Sequence, residues 1–539
     1  MKKLFCLLLC LPLFCLPLAG CTAAPATPGP AAGQAIPAFE PDAIEDPVYR
    51  DGWLNVTDFG AAGDGSTDDA AALQQAVDAS LQEGGSRTLW FPAGQYCVRG
   101  MLTVPRDVCC VFARGASLVF RTFYVTFEAS VTAGLYEILT GEFDSLLNNE
   151  TVFPQWFGAA GDGVTDDTNA FRRALEHALD VSLPCTAGGY LLGPVDVPTN
   201  ARVHGYNGKC ATVVGRPDAE YIFRFQDGQT GCLVGDLIFR MGGAETASCF
   251  FFDAAGTQQL THIEVYRIYT EGACHVIRDA HKSGAIISDV VVRDMVCLNT
   301  RDIAFDTDNF WGFCFMRNCV FDNSGLQAAY GAGTGNCPAV SIGDNAGFIL
   351  QNNRVVGTGD PGRADEHGFE YHNNVATWMD GCSVSGTGGD AFRISGGSHL
   401  YFSNITAEGM YGYGLNLTSS PWLQLMNMTV TGLGKDREEK QIGVQLKNLS
   451  NGQIDRLTVS GCSNNGVLAA CTRCAFTNLA VSDCGNFGLI DAGTGCVYSV
   501  LTVERCAGGH LNAMNDKTVF TGATFDGQAV DSLTQAGIY

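Results

Sequence analysis

Asp58-Phe-Gly-Ala-Ala-Gly-Asp-Gly-Ser-Thr-Asp-Asp69 returns 98 residues later as Trp156-Phe-Gly-Ala-Ala-Gly-Asp-Gly-Val-Thr-Asp-Asp167, with ten of twelve positions identical. Each copy has the same grammar. A short segment read as extended, Val56-Thr57 or Pro154-Gln155, runs into a glycine-rich turn whose Asp-Gly dipeptides suit left-handed backbone. An amphipathic helix is predicted to follow, with Leu73, Ala76, Val77 and Leu81 on one face in the first copy and Phe171, Ala174, Leu175 and Leu179 in the second. The paired carboxylates Asp68-Asp69 and Asp166-Asp167 then fall where they satisfy free N–H groups and oppose the helix dipole.

The motif resembles the opening sequence of the pectate-lyase superfamily, which includes polygalacturonases, rhamnogalacturonases and phage tailspikes. The following run, Leu89-Trp-Phe-Pro-Ala-Gly-Gln-Tyr96, is similar to the first-rung strand of that superfamily. The resemblance implies an all-β chain, a right-handed parallel β-helix solenoid with short capping helices, in which the motif itself is structural. Rival readings fit less well. Gly60, Gly63 and Gly65 do not give the dinucleotide-binding spacing, and Asp64, Ser66 and Asp68 lack the closing glutamate of an EF-hand.

From about residue 200 a repeat dominates. A short strand led by glycine or alanine recurs at Ala339, Gly368, Ala391, Gly414, Gly443, Gly466 and Gly488, in steps of 29, 23, 23, 29, 23 and 22 residues. A second strand keeps pace: Asn404-Ile-Thr-Ala, Asn427-Met-Thr-Val, Arg456-Leu-Thr-Val, Asn478-Leu-Ala-Val, Val500-Leu-Thr-Val. Such a unit buries one face of each strand only when neighbours stack, as in a solenoid coil. The longer steps carry extra residues at one register, Asp360–His367 and Gly434–Lys440, and a third insertion runs from Leu326 to Pro338. Loops at one register line one edge of the stack and suit a binding groove.

The domain organisation follows. Residues 1–21 read as a lipoprotein signal peptide: Lys2-Lys3, an apolar run from Leu4 to Leu18, and Leu18-Ala-Gly-Cys21, which resembles a bacterial lipobox with Cys21 as the lipidated residue. Residues 22–50, rich in Ala, Pro and Gly, read as a flexible tether. Residues 51–150 read as an N-terminal β-helix-like module, with Ala133-Gly-Leu-Tyr-Glu-Ile138 resembling the connection that leads such modules into a second motif, and 151–539 as the main solenoid. The expected location is the bacterial cell surface, with the membrane as partner through the lipid alone.

The formal charge of −24 becomes −26 once Lys2 and Lys3 are removed, which argues against nucleic acid as a partner. The chain carries 23 cysteines. Cys462, Cys484 and Cys506 recur every 22 residues, as do Cys474 and Cys496, so they are expected as columns of free thiols. Cys471-Thr-Arg-Cys474 has no second pair at zinc spacing, and no metal site is assigned.

Strand alternation shows which side chains leave the core. The outward stripe reads Asp306, Ser341, Glu370 with His372, Arg393, Asn416 and Gln445. Asp306, Glu370, His372 and Arg393 are the candidate catalytic residues. Asp308, Trp311, Tyr330, Trp378, Asp390 and Asn416 are the candidate substrate-binding residues, the aromatics as stacking platforms for sugar rings. Two chemistries fit. Asp306 and Glu370, two coils apart, approach the carboxyl separation of an inverting glycosidase. Alternatively His372 or Arg393 removes the C5 proton of a uronic acid, with Asp306 and Asp308 as holders of Ca2+ in a lyase. Gly368-Phe-Glu-Tyr-His-Asn373 resembles the Gly-Phe-Asp-Pro-His-Glu phrase of mannuronan C5-epimerases, with Glu370, Tyr371 and Asn373 replacing three of its members. Asp306-Thr-Asp308 and Gly388-Gly-Asp390 approach two polygalacturonase motifs, each with one residue changed. The expected function is therefore a surface-anchored hydrolase or lyase of a uronate-containing, pectin-like polysaccharide. The alternatives are a uronate C5-epimerase and a non-catalytic glycan-binding adhesin.

Overall fold

A computed structural model describes residues 35–530, except 242–246, 257, 283, 309, 332–335, 434–440 and 515–517. Cys21, the signal segment and the insertion Gly434–Lys440 lie outside the described residues. The chain winds into a right-handed parallel β-solenoid of about 17 turns, with three short α-helices among the described residues.

Both opening motifs fold alike. The segment read as extended is instead a 3-10 turn in each copy, Val56–Phe59 and Pro154–Phe157, closed by left-handed Gly60 and Gly158 at φ 92° and 102°. The carboxylates then bind backbone. Asp69 accepts the amides of Ala62 and Gly63 at 2.6 and 3.3 Å, and Asp167 those of Ala160 and Gly161 at 2.6 and 3.1 Å. Capping falls to the first member of each pair, since Asp68 and Asp166 accept the amides of Ala70 and Thr168 at 3.2 and 3.0 Å. Asp64 and Asp162 bind the amide and hydroxyl of Thr67 and Thr165. These aspartates fix turns, so the motif is scaffold. Helix Ala70–Leu81 packs on Leu102–Val104, and helix Thr168–His177 packs beside Val195–Asp196, the first strand of a long sheet.

The first module is already coiled, with two parallel four-stranded sheets and a parallel pair between Leu54 and Thr140. The tether read from composition ends before residue 50. Cys185 N–H donates to Asp42 at 2.7 Å, Lys209 pairs with Asp42 at 2.5 Å, and Arg114 pairs with Asp46 at 2.6 Å. Three ionic or polar anchors and a partly buried Ile44 dock this stretch, Asp46 on the first module and Asp42 on the start of the main body.

In the main body each coil gives one strand to a 13-stranded parallel sheet and two strands, or one bent strand, to a 23-stranded sheet. The thirteen-stranded sheet aligns Val340, Phe369, Phe392, Leu415, Val444, Val467 and Leu489 in one inward row, reproducing the steps read from sequence. All seven are fully buried, and each such side chain contributes about 1.5–3 kcal/mol relative to exposure. The leading glycine has a steric cause: a Cβ on Gly466 would lie 2.3 Å from Val481 Cγ1 and 2.6 Å from the Gly488 carbonyl of the next coil. At the far end Gln528–Val530 turns antiparallel on Ala523–Phe525. All 19 cysteines among the described residues are free thiols.

The corner inside the 23-stranded sheet is one left-handed residue per coil. Register aligns Asp236, Arg267, Asp294, Asn318, Asn352, Gly381, Asn404, Asn427, Arg456, Asn478, Val500 and Gly522, all at φ between 47° and 65°. The leading asparagine of the second repeated strand is therefore the bend itself. Asparagine tolerates this backbone and bonds along the column, as Asn427 Nδ2 does to Asn404 Oδ1 at 2.8 Å. Val500 breaks the pattern. It is β-branched, sits at φ 59°, and is 53% exposed, so it carries the strain with little burial in return. Val500→Asn is expected to stabilise the chain by about 1 kcal/mol, read as a higher denaturant midpoint at unchanged slope; a lower midpoint would contradict the account.

Candidate active site

The outward stripe is a true row. Cross-strand register places Arg278, Asp306, Ser341, Glu370, Arg393, Asn416 and Gln445 side by side on the thirteen-stranded sheet. A second outward row, two residues on, carries Gly343, His372, Ser395, Thr418 and Lys447. Asp308 extends it: its carboxylate leans over Gly343, where a Cβ would meet Asp308 Oδ1 at 2.2 Å. Glycine at 343 therefore opens the way from Asp308 towards His372.

Two ion clusters occupy these rows. In the first, Glu370 Oε1 lies 3.3 Å from His372 Nε2 and 3.4 Å from Arg393 Nε. The Glu370 side chain is 14% exposed, while His372 and Arg393 are 45% and 43% exposed, so the carboxylate is the sheltered floor and the cations form the rim. Burial alone would raise Glu370. The hydrogen bond from His372 and the charges of His367, His372 and Arg393 outweigh it and bring the carboxyl below its ordinary value. In return, the bond to Glu370 raises His372, against its partial burial. His372 Nδ1 is held at 2.6 Å by Ser395 Oγ.

In the second cluster His281 bridges the two aspartates, with Nδ1 2.6 Å from Asp308 and Nε2 3.1 Å from Asp306. Hydrogen bonds to Asp306 and Asp308 push His281 up to about 10. The buried Asp279 supports the turn, accepting the amides of Asp308 and His281 at 3.0 Å each. The pair read from sequence as holders of Ca2+ is thus already joined by an imidazolium. Asp306 and Glu370 stand two coils apart in register, about 9–10 Å by strand spacing.

The insertion Asp360–His367 is folded down. Buried Glu366 accepts the amides of Thr358 and Gly388 at 2.9 Å each and the Thr358 hydroxyl at 2.7 Å. This fixes His367, whose Nδ1 accepts the Asp390 amide at 2.8 Å and whose Nε2 lies 2.6 Å from Arg393 Nη1. Burial lowers the His367 pKa. The loop thereby sets the position of Arg393.

Not every sequence candidate joins the groove. Asp390 is buried and engaged by the Tyr413 amide at 2.8 Å and Asn416 Nδ2 at 2.9 Å, and Asn416 in turn accepts from Gln445 at 2.9 Å. These two residues tie coils together. Trp311 and Trp378 belong to the other sheet, where Trp378 stacks on Tyr401 at 5.1 Å between ring centroids. Tyr330, on helix Leu326–Tyr330, turns to Arg301, 5.7 Å over its ring, and lines a cavity with Val214, Arg240 and Glu271. His281, Asp279 and His367 were missed because alternation stops at a strand end, and His281 sits in a left-handed turn at φ 48°. The 28-residue step from Arg278 to Asp306 was the available signal, since it brings the turn after Asp279 beside the end of the Asp306 strand.

Comparison with known proteins agrees with this architecture. Residues 53–109 match the family model described as rhamnogalacturonase A/epimerase, pectate lyase-like, and residues 338–506 match the right handed beta helix region. Mannuronan C5-epimerase AlgE3 of Azotobacter vinelandii is 42% identical over 72 residues, 13% of this chain and 4% of that protein. Plasmin and fibronectin-binding protein A of Streptococcus pneumoniae is 40% identical over 65 residues, 11% of this chain and 9% of that protein. The chain thus spans only a small part of the curated relatives it matches. Tailspike protein 3 of bacteriophage CBA120 superposes with a TM-score of 0.44 at 12% identity, over 72% of this chain and 59% of that one. In its opening module and its coils the chain is similar to the pectate-lyase superfamily.

The His281 bridge carries a pH signature. Its folded pKa lies above the unfolded value of about 6.5, so the folded state holds a proton that the unfolded chain releases. The bridge is fully present below about pH 6.5 and is lost as pH rises through about 10. His281→Gln is expected to be less stable than the parent at pH 6 and to converge with it by pH 10, measured by urea midpoints; parallel curves would refute the bridge.

Proposed function

We propose that the protein is a polysaccharide-active enzyme that abstracts the C5 proton of a uronate residue, as a lyase of a uronate-containing glycan. The observation that carries this reading is the sheltered Glu370 carboxylate between His372 and Arg393 on an exposed sheet face. In a chain of charge −24, the cations His281, His372 and Arg393 form a local rim suited to an anionic sugar. An inverting hydrolase needs one carboxyl kept protonated. Glu370 is held below its ordinary value, which does not support that role.

The chemistry follows from the arrangement. Arg393 pairs with the uronate carboxylate and stabilises the charge that spreads into it as the C5 proton leaves. His372, once deprotonated, takes that proton. In the lyase the electron pair forms a C4–C5 double bond and the C4–O bond breaks, the departing oxygen taking a proton. An epimerase shares the first half and returns a proton to the opposite face. The likeness of Gly368–Asn373 to the epimerase phrase, with outward Glu370 and His372, favours that second reading over hydrolysis. Arg393 supplies positive charge for the uronate carboxylate, and Asp306 with Asp308 are the residues that would hold Ca2+ if the lyase uses it.

Turnover should rise with pH through the raised His372 pKa. Glu370→Gln removes the bond that raises it, so the limb should move to lower pH while turnover falls about a hundredfold. Lys447→Gln, three coils from His372, should change little. Absorbance of unsaturated uronates reports the lyase, and exchange of the C5 hydrogen with deuterated solvent reports the epimerase. New reducing ends without either signal, or binding without any turnover, would overturn the proposal.

The same proposal places the enzyme on the bacterial surface by a lipid on Cys21, on the strength of Leu18-Ala-Gly-Cys21. Cys21→Ala should leave the chain unlipidated and free of the membrane fraction; unchanged lipid content would disprove the anchor.

A further inference from the structure

Far from the groove, where the first module meets the main body, Glu142, Glu176 and His177 come together. One carboxylate oxygen from each glutamate and a ring nitrogen of His177 lie within 4.8 Å of one another. His177 is the last residue of helix Thr168–His177, where the helix dipole favours a cation. Its ring is locked by stacking on Phe143, with centroids 3.7 Å apart at 9°. Nδ1 lies 3.0 Å from the Ser145 carbonyl, so it carries the ring hydrogen and donates it. That leaves Nε2 as a lone-pair donor. It is buried, has no hydrogen-bond partner, and belongs to a residue only 4% exposed.

We propose that Glu142, Glu176 and His177 form a site for a divalent transition-metal ion of the zinc class. Metal-binding histidines commonly donate the other ring N–H to a backbone carbonyl, which is the bond seen here. Imidazole with two carboxylates suits Zn2+ or Co2+ better than Ca2+ or Mg2+, which prefer oxygen alone. Zinc bonds are about 2.0–2.2 Å long, and both glutamates are exposed side chains. Arg173 is the neighbouring cation, and its Nη atoms are engaged by the carbonyls of Phe157, Leu139 and Gly141 at 2.7–3.3 Å. Asp144 and Glu137 add negative charge nearby. The ion would pin Glu142, on the segment leaving the first module, to the helix that opens the second.

The test uses the full mature chain after chelator treatment, titrated with Co2+ as an optical probe and then with Zn2+. The expected result is about one Co2+ per chain with bands of nitrogen and oxygen ligation, displacement by Zn2+, and a higher Tm with Zn2+. Glu142→Gln with Glu176→Gln changes only exposed side chains and should fold normally. It should weaken binding at least tenfold and abolish the Tm rise. Equal binding by that variant, a thiolate-to-cobalt charge-transfer band, preference for Ca2+, or no binding by the parent would each overturn the site.

Discussion

Everything in this molecule depends on one coil's backbone lying in register on the next. A parallel strand has no partner within its own coil, so its N–H and C=O groups are satisfied only by the coils before and after. That requirement sets a basic coil of 22 or 23 residues, to which insertions add loops, and a left-handed residue at each inner corner makes the return possible. Once register is fixed, side chains from distant parts of the sequence become columns. The buried column is aromatic and aliphatic; the exposed column, over four coils, becomes the candidate site.

The same constraint made the sequence readable. Steps of 22 and 23 residues were visible because a coil has little freedom in length, and the row from Asp306 to Gln445 followed from alternation within each strand plus that period. Glu370, His372 and Arg393 met as expected because the Gly368, Ala391 and Gly414 strands follow without internal bulges. The failures share a cause as well. Trp311 and Trp378 were placed by nearness in sequence, yet a few residues past a corner the chain is on another face. Asp390 looked exposed at a strand end, but its carboxylate fills a gap between coils and is closed off by Asn416. His281 lies in a turn, where period-two reasoning has no say.

Charge explains why the groove stands out. Over a strongly acidic surface, isolated carboxylates repel, and each acid of these two clusters has gained a cation: Asp306 and Asp308 share His281, and Glu370 has His372 and Arg393. Nearby, loop 357–368 is anchored through Glu366. That insertion therefore acts as a wall with its own buried hydrogen bonds, and through His367 it sets the orientation of Arg393.

Contacts that reach only the preceding coil also govern how the chain comes into being. Each strand of the thirteen-stranded sheet finds its partner 22 to 35 residues earlier along the stretch from Phe305 to Leu489. A polypeptide emerging from its N-terminus as it is made therefore always has a finished template waiting for the coil that has just appeared. Assembly can proceed as winding, one turn at a time, with no need to hold the whole chain unfolded until its C-terminus arrives. Among the described residues the final strand, Gln528–Val530, turns antiparallel on Ala523–Phe525 and so pairs the last parallel edge of the 23-stranded sheet.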